Sequence, residues 1–434
     1  MKNKTIFDTN KKVNLDRVAD AILSNRSIIF FMNNFFIYRE NYYQPLDVLE
    51  IKQWAKEMIK EGFTSSKAVE VIRLLEIKRF VKLEDMDNEF LNLKNGLYDL
   101  EKDELYPHSP LFCHLNQLPI NYDKNAKCPV WRDTLDKIFQ GDQDKINLLQ
   151  EFFGLCLTDE TMYEAALFCV GKGANGKSTV LGALERLVGE HNCSSVPLEK
   201  FSDSHYLADL HGKKVNLSIE TSVKSQVYDN ALKAIVSGDS ITVDKKYEKP
   251  FSFKPTCKIV VATNNLPKVQ DKTDAFYRRL LVLDFNRVFK PHEQDRTLKG
   301  DKGKLAKELD GILLWAIEGL KRLQKRDNFL ETPEMIAAKD KYRKENNNVL
   351  LFVFSECQLN TSLSIGKTEL YDAYKDWCKD NRHLAVNRIE FSNELEASFD
   401  VRDGRKSNVR NLEGINLNKN CTALVAKGAK PLKP

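Results

Sequence analysis

Eight residues constrain this chain more than any others: Gly171-Lys172-Gly173-Ala174-Asn175-Gly176-Lys177-Ser178, which match G-x-x-x-x-G-K-[ST] without a mismatch. Context strengthens the match. AALFCV (165–170) reads as an apolar strand entering the loop, and STVLGALERLV (178–188) reads as an amphipathic helix leaving it. Between a strand and a helix, such glycines let the backbone curl until its N–H groups face inward, and the helix adds the positive end of its dipole. That arrangement holds a triphosphate. Gly171, Gly173, Ala174, Asn175, Gly176 and Thr179 are the candidate cradle. Lys177 would reach the β- and γ-phosphates, and the Ser178 hydroxyl would bind Mg²⁺, so ATP and Mg²⁺ are the expected cofactors.

The segments after the loop fit an energy-using core. From 165 to 290, apolar strands alternate with helices, which predicts a parallel α/β sheet buried on both faces. KKVNLSIE (213–220) is a strand ending in one acid, Glu220, the candidate metal-side acid. KIVVATNN (258–265) ends in polar residues, of which Asn264 is the candidate to touch a γ-phosphate or its water. Arg278-Arg279 open a further apolar strand, and either could pair with surface acids or act as an arginine finger on a neighbouring subunit. ITVDKKYEKPFSF (241–253) reads as a hairpin with Lys245 and Lys246 near its tip.

The flanks divide the chain. Residues 1–125 are expected to form an α+β domain, with short strands around Asn33-Asn34, helices at 48–62 and 65–80, and a hairpin around Asn95-Gly96. Residues 126–160 read as a helical collar, 161–300 as the ATPase core, and 301–346 as a helical extension broken at Asn346-Asn347-Asn348. Residues 347–418 read as three helices and a hairpin, a winged-helix pattern, with a capping-box-like start at Asn387 and Glu390. Residues 419–434 form a basic tail.

Composition adds direction. The net charge of +5 is small, but Arg402, Arg405, Lys406, Arg410, Lys419, Lys427, Lys430 and Lys433 crowd the C-terminal end against only Asp403 and Glu413. That excess suits a polyanionic partner. Nine scattered cysteines without a CxxC pair suggest reduced thiols rather than a disulfide framework. Cys113, His114, His108 and Cys128 fit no familiar metal-site spacing. MKNKTIFDTNKK has no apolar signal core, and IIFFMNNFFIY is far short of the roughly 20 residues that span a bilayer. A cytoplasmic protein with no membrane partner is expected.

The order of motifs resembles superfamily 3 helicases, specifically the phage- and plasmid-type primase-helicases related to poxvirus replication ATPases. LNLKNGLYDL, LHGKKVNLSIET, LKAIVSGDSITVDKKY, FKPTCKIVVATNNLP, FYRRLLVLDF and the stretch from LYDAYKDWC to RNLEGINL carry the resemblance. It implies an AAA+-like parallel-sheet P-loop ATPase core with a C-terminal winged helix. It implies Glu220 as catalytic base, Asn264 as γ-phosphate sensor, Arg279 (with Arg278 the alternative) as a finger in trans, and Lys245 or Lys246 on the DNA backbone. The implied protein is an ATP-dependent replicative DNA helicase of a phage, plasmid or mobile element in a bacterial host cytoplasm. It would work as a homo-hexamer on single-stranded and forked DNA, 3′ to 5′, with replication proteins of the element or host. The alternative is an origin-binding initiator that melts duplex DNA with ATP as an assembly switch. In that reading the helix from Asn387 enters the major groove while Arg402, Arg405, Lys406 and Arg410 hold phosphates. Primase activity is not expected, because no acidic metal motif precedes the core.

Overall fold

The computed structural model describes residues 6–7, 12–82, 86, 90–219, 226–227, 229–245, 249–269, 274–381, 383–406 and 409–418. The chain divides into two compact units, one comprising 1–267 with 279–332, the other 268–278 with 333–434.

In the first unit, helices Leu15–Ser24, Val48–Ile59 and Ser65–Lys78 are each started by a polar cap: Asn14, Asp47 and Thr64 accept from backbone N–H groups of the first turn. They pack on a three-stranded antiparallel meander, Ile28–Phe31, Asn34–Arg39 and Tyr42–Pro45. The first turn is Met32-Asn33 and the second Glu40-Asn41, all four residues with positive φ, as two-residue hairpins whose twist matches the strands require. Asn34 is therefore the first residue of its strand, paired with Phe31, one position earlier than a turn centred on Asn33-Asn34 would have it. A second antiparallel sheet, Phe90–Leu93, Gly96–Asp99 and Glu104–Tyr106, follows. A Cβ on Gly96 would lie 2.7 Å from both the Leu105 side chain and the Tyr106 carbonyl, so only glycine fits.

Helices Pro129–Phe139 and Gln143–Cys156 lead to the core. Helix Leu309–Arg326 returns against Gln143–Cys156, and glycine at 154 and 319 brings the two backbones together: a Cβ at either would collide with a carbonyl of the other helix. Trp131, Phe153 and Trp315 stack edge to face beside this crossing. Buried Glu151 is held by Arg322 at 2.8 Å and by Arg326, which locks the register of the pair.

The central sheet has five parallel strands: β1 (Ala166–Val170), β2 (Cys193–Ser194), β3 (Val215–Ile219), β4 (Lys258–Thr263) and β5 (Leu280–Asp284). Helix α1 (Lys177–Val188) follows β1. The spatial order is 5-1-4-3-2, with Ala166 facing both Ile259 and Leu280 in register. Continuous apolar runs make strands buried on both faces, and β1, β4 and β5 are such runs. The polar residues of β3 have partners instead. Buried Asn216 accepts from the Val196 N–H at 2.7 Å and donates to its carbonyl at 2.9 Å, and the Ser218 hydroxyl accepts from the Leu198 N–H at 3.2 Å. These bonds stitch the 194–198 segment to β3. Because every strand runs the same way, Val170, Ile219, Thr263 and Asp284 end on one edge, and the loop at 171–178 stands there.

In the second unit, helices Asn348–Glu356, Lys367–Asp380 and Arg388–Ser398 surround a core of Val349, Phe352, Tyr374, Phe391, Leu395 and Ile415. A three-stranded antiparallel sheet covers it, with Val409–Leu417 between Cys357–Gly366 and Arg402–Lys406. The strand Cys357–Gly366 is an addition to the helices and hairpin expected there: the helix begun at Asn348 stops at Glu356. Among the described residues, no helix is long and apolar enough to cross a membrane.

Candidate functional site

The loop at 171–178 is built as its sequence demands. Gly176 sits at φ +93° and caps α1, and a Cβ there would lie 2.5 Å from Ile138 Cδ1. Ala174 also takes a positive φ, 53°. Asn175 is buried and donates from Nδ2 to the Phe285 carbonyl at 3.2 Å, while the Ala174 carbonyl accepts from the Phe289 N–H at 2.8 Å. The segment after β5 thus clamps the loop from behind. Lys177 folds over the loop, donating to the Gly171 carbonyl and to Asn175 Oδ1 at 3.4 Å. Burial lowers its pKa, which the Cys169 thiol beneath it offsets only in part.

In front of the loop lies a cavity of about 1040 Å³. Its walls bring together Gly173 through Thr179, the β3 terminus at Ile219, and Thr263, Asn264 and Asn265 at the end of β4. Asn264 is exposed in it. Two further walls carried no signal in the sequence. One is the helix Pro129–Phe139, through Asp133, Thr134, Lys137 and Ile138. The other is the stretch from Phe289 to Lys304, which contributes Glu293, Asp295, Arg296, Leu298, Lys299 and Lys304. This stretch has no periodicity to read, because short polar bonds hold it. Glu293 accepts from the Lys290 N–H at 2.8 Å and pairs with Arg287 at 3.2 Å. Asp295 accepts from the Thr297 N–H at 2.9 Å and pairs with Lys304 at 2.7 Å, and these bonds, Lys304 first, hold its pKa down to about 2. Lys299 Nζ donates to Ser178 Oγ at 2.6 Å.

Ser178 Oγ therefore already offers a lone pair to a cation inside this cavity, which is the property a Mg²⁺ ligand needs. Ser178 Oγ would be the described ligand of such an ion, which when bound would supply positive charge to the phosphates. Glu220 follows Ile219 directly in the chain but lies outside the described residues.

The two arginines part company. Arg279 is mostly buried and pairs with Glu164 at 2.6 Å, and it donates to Ser237 Oγ at 3.0 Å, so it fastens the β5 entry to neighbouring segments. Arg278 is exposed. The hairpin Ile241–Val243 with Phe251–Phe253 forms as expected, with Lys245 exposed above the Phe251 ring at 5.8 Å; Lys246 lies outside the described residues. Its base is anchored: Asp244 takes a hydrogen bond from Ser204 and one of its carboxylate oxygens lies 3.4 Å from His205 Nδ1, and His211 packs edge-on against Phe251 and Phe253.

In the second unit, Arg402 and Arg410 are exposed on the antiparallel sheet, and Arg402 pairs with Asp400 at 3.0 Å. Arg405 stands opposite Arg410 in register, with Lys406 next; the side chains of Arg405 and Lys406 lie outside the described residues. Helix Arg388–Ser398 turns Phe391 and Leu395 inward and leaves Ile389, Glu390, Asn393 and Glu396 exposed. Arg388, at the start of this helix, is exposed as well, so the outward face carries charges of both signs.

Fold and loop together define a P-loop ATPase-type α/β core. Comparison with known proteins narrows the class. Residues 12–140 match "D5 N terminal like", residues 344–421 match "Poxvirus D5 protein-like", and residues 169–279 match a family of unknown function, DUF5906. The chain is similar to "Putative helicase L207/L206" of Acanthamoeba polyphaga mimivirus, 23% identical over 77% of this chain and 38% of that protein. It is also similar to "Putative helicase V13" of Sputnik virophage, 24% identical over 81% of this chain and 49% of that one. It spans less than half the length of these curated relatives. In three dimensions it resembles the apo C-terminal region of NrS-1, with a TM-score of 0.54 at 14% identity over 88% of this chain and 85% of that one. D5-type family models thus match segments at both ends of the chain, the curated relatives are putative helicases by name, and the NrS-1 likeness is one of fold.

Proposed function

We propose that this chain is the ATP-driven motor of a DNA-replication helicase. The observation that supports it most is convergence. The loop, the ends of β3 and β4 and the Lys299 segment meet in one cavity at the C-terminal edge of a 5-1-4-3-2 sheet, an AAA+-like order. Lys177 and the loop amides would hold ATP, Glu220 would orient the attacking water, and Asn264 would contact the γ-phosphate. The finger in trans would be Arg279, with Arg278 the alternative; Arg279 also pairs with Glu164 of its own chain, while Arg278 is exposed. Such a finger requires a ring, which by resemblance is a homo-hexamer. Lys245 and Lys246 would grip single-stranded DNA without regard to sequence, and the winged-helix unit would add phosphate contacts through Arg402, Arg405, Lys406 and Arg410. The curated relatives of virus origin, putative helicases by name, suit a replicon of a virus or another mobile element.

A forked-duplex unwinding assay with tails of opposite polarity, with and without ATP, tests this reading. The expected result is ATP-dependent strand separation on the 3′-tailed fork, abolished by Lys177→Ala with DNA binding retained. Unwinding by the Lys177→Ala protein would end it.

A further inference from the structure

Charge accounting around the cavity leaves a remainder. Among the described residues three carboxylates line it, and each is already paired: Asp133 with Lys137 at 2.6 Å, Glu293 with Arg287 at 3.2 Å and Asp295 with Lys304 at 2.7 Å. Lys177, Arg296 and Lys299 are the cations left over. Lys177 rests on neutral acceptors of the loop, and the partner of Lys299 is the neutral hydroxyl of Ser178. Holding a long, flexible ammonium against a hydroxyl gains little over water. Cations from two walls that face a space whose described carboxylates are already paired suit a polyanion placed between them.

The position of Lys299 says which part of the polyanion. In a loop of this motif the serine lies beside the β- and γ-oxygens of a triphosphate. A cation resting on Ser178 Oγ therefore stands next to the terminal phosphate, and it cannot keep that lone pair once a divalent cation takes it. We propose that Lys299 is a second phosphate-binding lysine of this site, carried on the segment after β5 and acting within its own chain. Its ammonium leaves the Ser178 hydroxyl for the γ-phosphate when a nucleoside triphosphate binds, and has no such partner in a diphosphate. The segment from Phe289 to Lys304 then takes different positions with the two nucleotides. This inference rests on reading the cavity as an ATP site.

Titration of a fluorescent ATP analogue and its ADP counterpart into the full chain tests it, with and without Mg²⁺, for wild type, Lys299→Ala, Lys299→Arg and Lys177→Ala. A charge-assisted hydrogen bond lost from the γ-phosphate predicts that Lys299→Ala binds the triphosphate roughly 10- to 100-fold more weakly. The diphosphate should weaken by less than about 3-fold, because the lysine has no direct contact there. Lys299→Arg should recover most of the loss. Equal weakening of both nucleotides, or none, overturns the assignment while leaving the ATP site in place. Wild-type protein that binds neither nucleotide overturns the ATP-site reading itself, and Lys299 with it. Lys299 is exposed, so the variants should melt with wild type. A variant that binds neither nucleotide yet melts normally counts against selectivity for the γ-phosphate.

Discussion

The loop at 171–178 and the segment at 289–304 face the same cavity, yet they are made by opposite means. The loop is held by steric necessity. Gly176 has no alternative at φ +93° with Ile138 against it, and Asn175 is buried on a backbone carbonyl. The segment is held by exposed polar side chains that bond their own backbone, and it contains only short 3₁₀ turns. A steric device is rigid and tolerates no substitution. A polar, solvent-exposed device is cheap to rearrange, because water replaces each bond it loses. In a nucleotide site that contrast divides the labour between a fixed cradle and a part that can respond.

The largest effect is expected from Gly176→Ala. A methyl group must displace Ile138 and hold the backbone in a region costly to L-residues, which predicts a loss of roughly 2–4 kcal/mol in stability. Nucleotide binding should fall with it. Melting and nucleotide titration on the same preparation decide the matter. Wild-type stability with intact binding would show that the loop adapts as easily as the segment facing it.

How much of this could be read in advance follows the same division. The loop and the apolar strands were legible because steric need and burial on both faces leave strong local marks. The second strand's start at Asn34 was displaced by one residue, because two asparagines in a row satisfy either turn position until cross-strand register chooses. CQLNTSLSIG was not read as a strand: its polar, mostly exposed residues carry no alternation. The tie of Arg279 to Glu164, more than a hundred positions earlier in the chain, left no local mark either. Lys299 was invisible for the same reason, since its partner Ser178 is 121 positions away.

A second, smaller effect separates the sheet beneath the loop from its surroundings by pH. Burial pushes the thiols of Cys169 and Cys257 up to about 12, and that of Cys156 also rises. These groups keep their protons in the folded state where the unfolded chain releases them. Their contribution is therefore complete below pH 9 and is lost as pH rises toward 12. Lys258, pushed down to about 8 by its own burial, works the other way between pH 8 and 10.5, where the unfolded chain holds the extra proton. Three thiols outweigh one lysine, so stability should fall from pH 9 upward. Each thiol adds a slope of up to about 1.4 kcal/mol per pH unit. Cys169→Ala should flatten calorimetric melting curves against pH by one proton's worth. An unchanged slope would mean that water reaches β1 under the loop.

The smallest expected effect lies in the responsive segment. Asp295 joins Thr297 and Lys304 into a closed turn with Lys299 inside it, so it sets how much conformational freedom Lys299 must lose on reaching a phosphate. Because Asp295 is exposed, Asp295→Ala should leave the melting temperature within about 1 °C of wild type. The cost should appear in binding, as a loss of about 2- to 5-fold in triphosphate affinity from the added entropy of the freed lysine. Its acid dependence has a definite sign. A carboxyl held down to about 2 supports the turn above its ordinary range near pH 4 and fails only as pH falls toward 2, so affinity measured from pH 6 to 8 should show no trace of its titration. A melting temperature that drops by several degrees would make the segment a structural part of the core like the loop, and the contrast between the two walls would disappear.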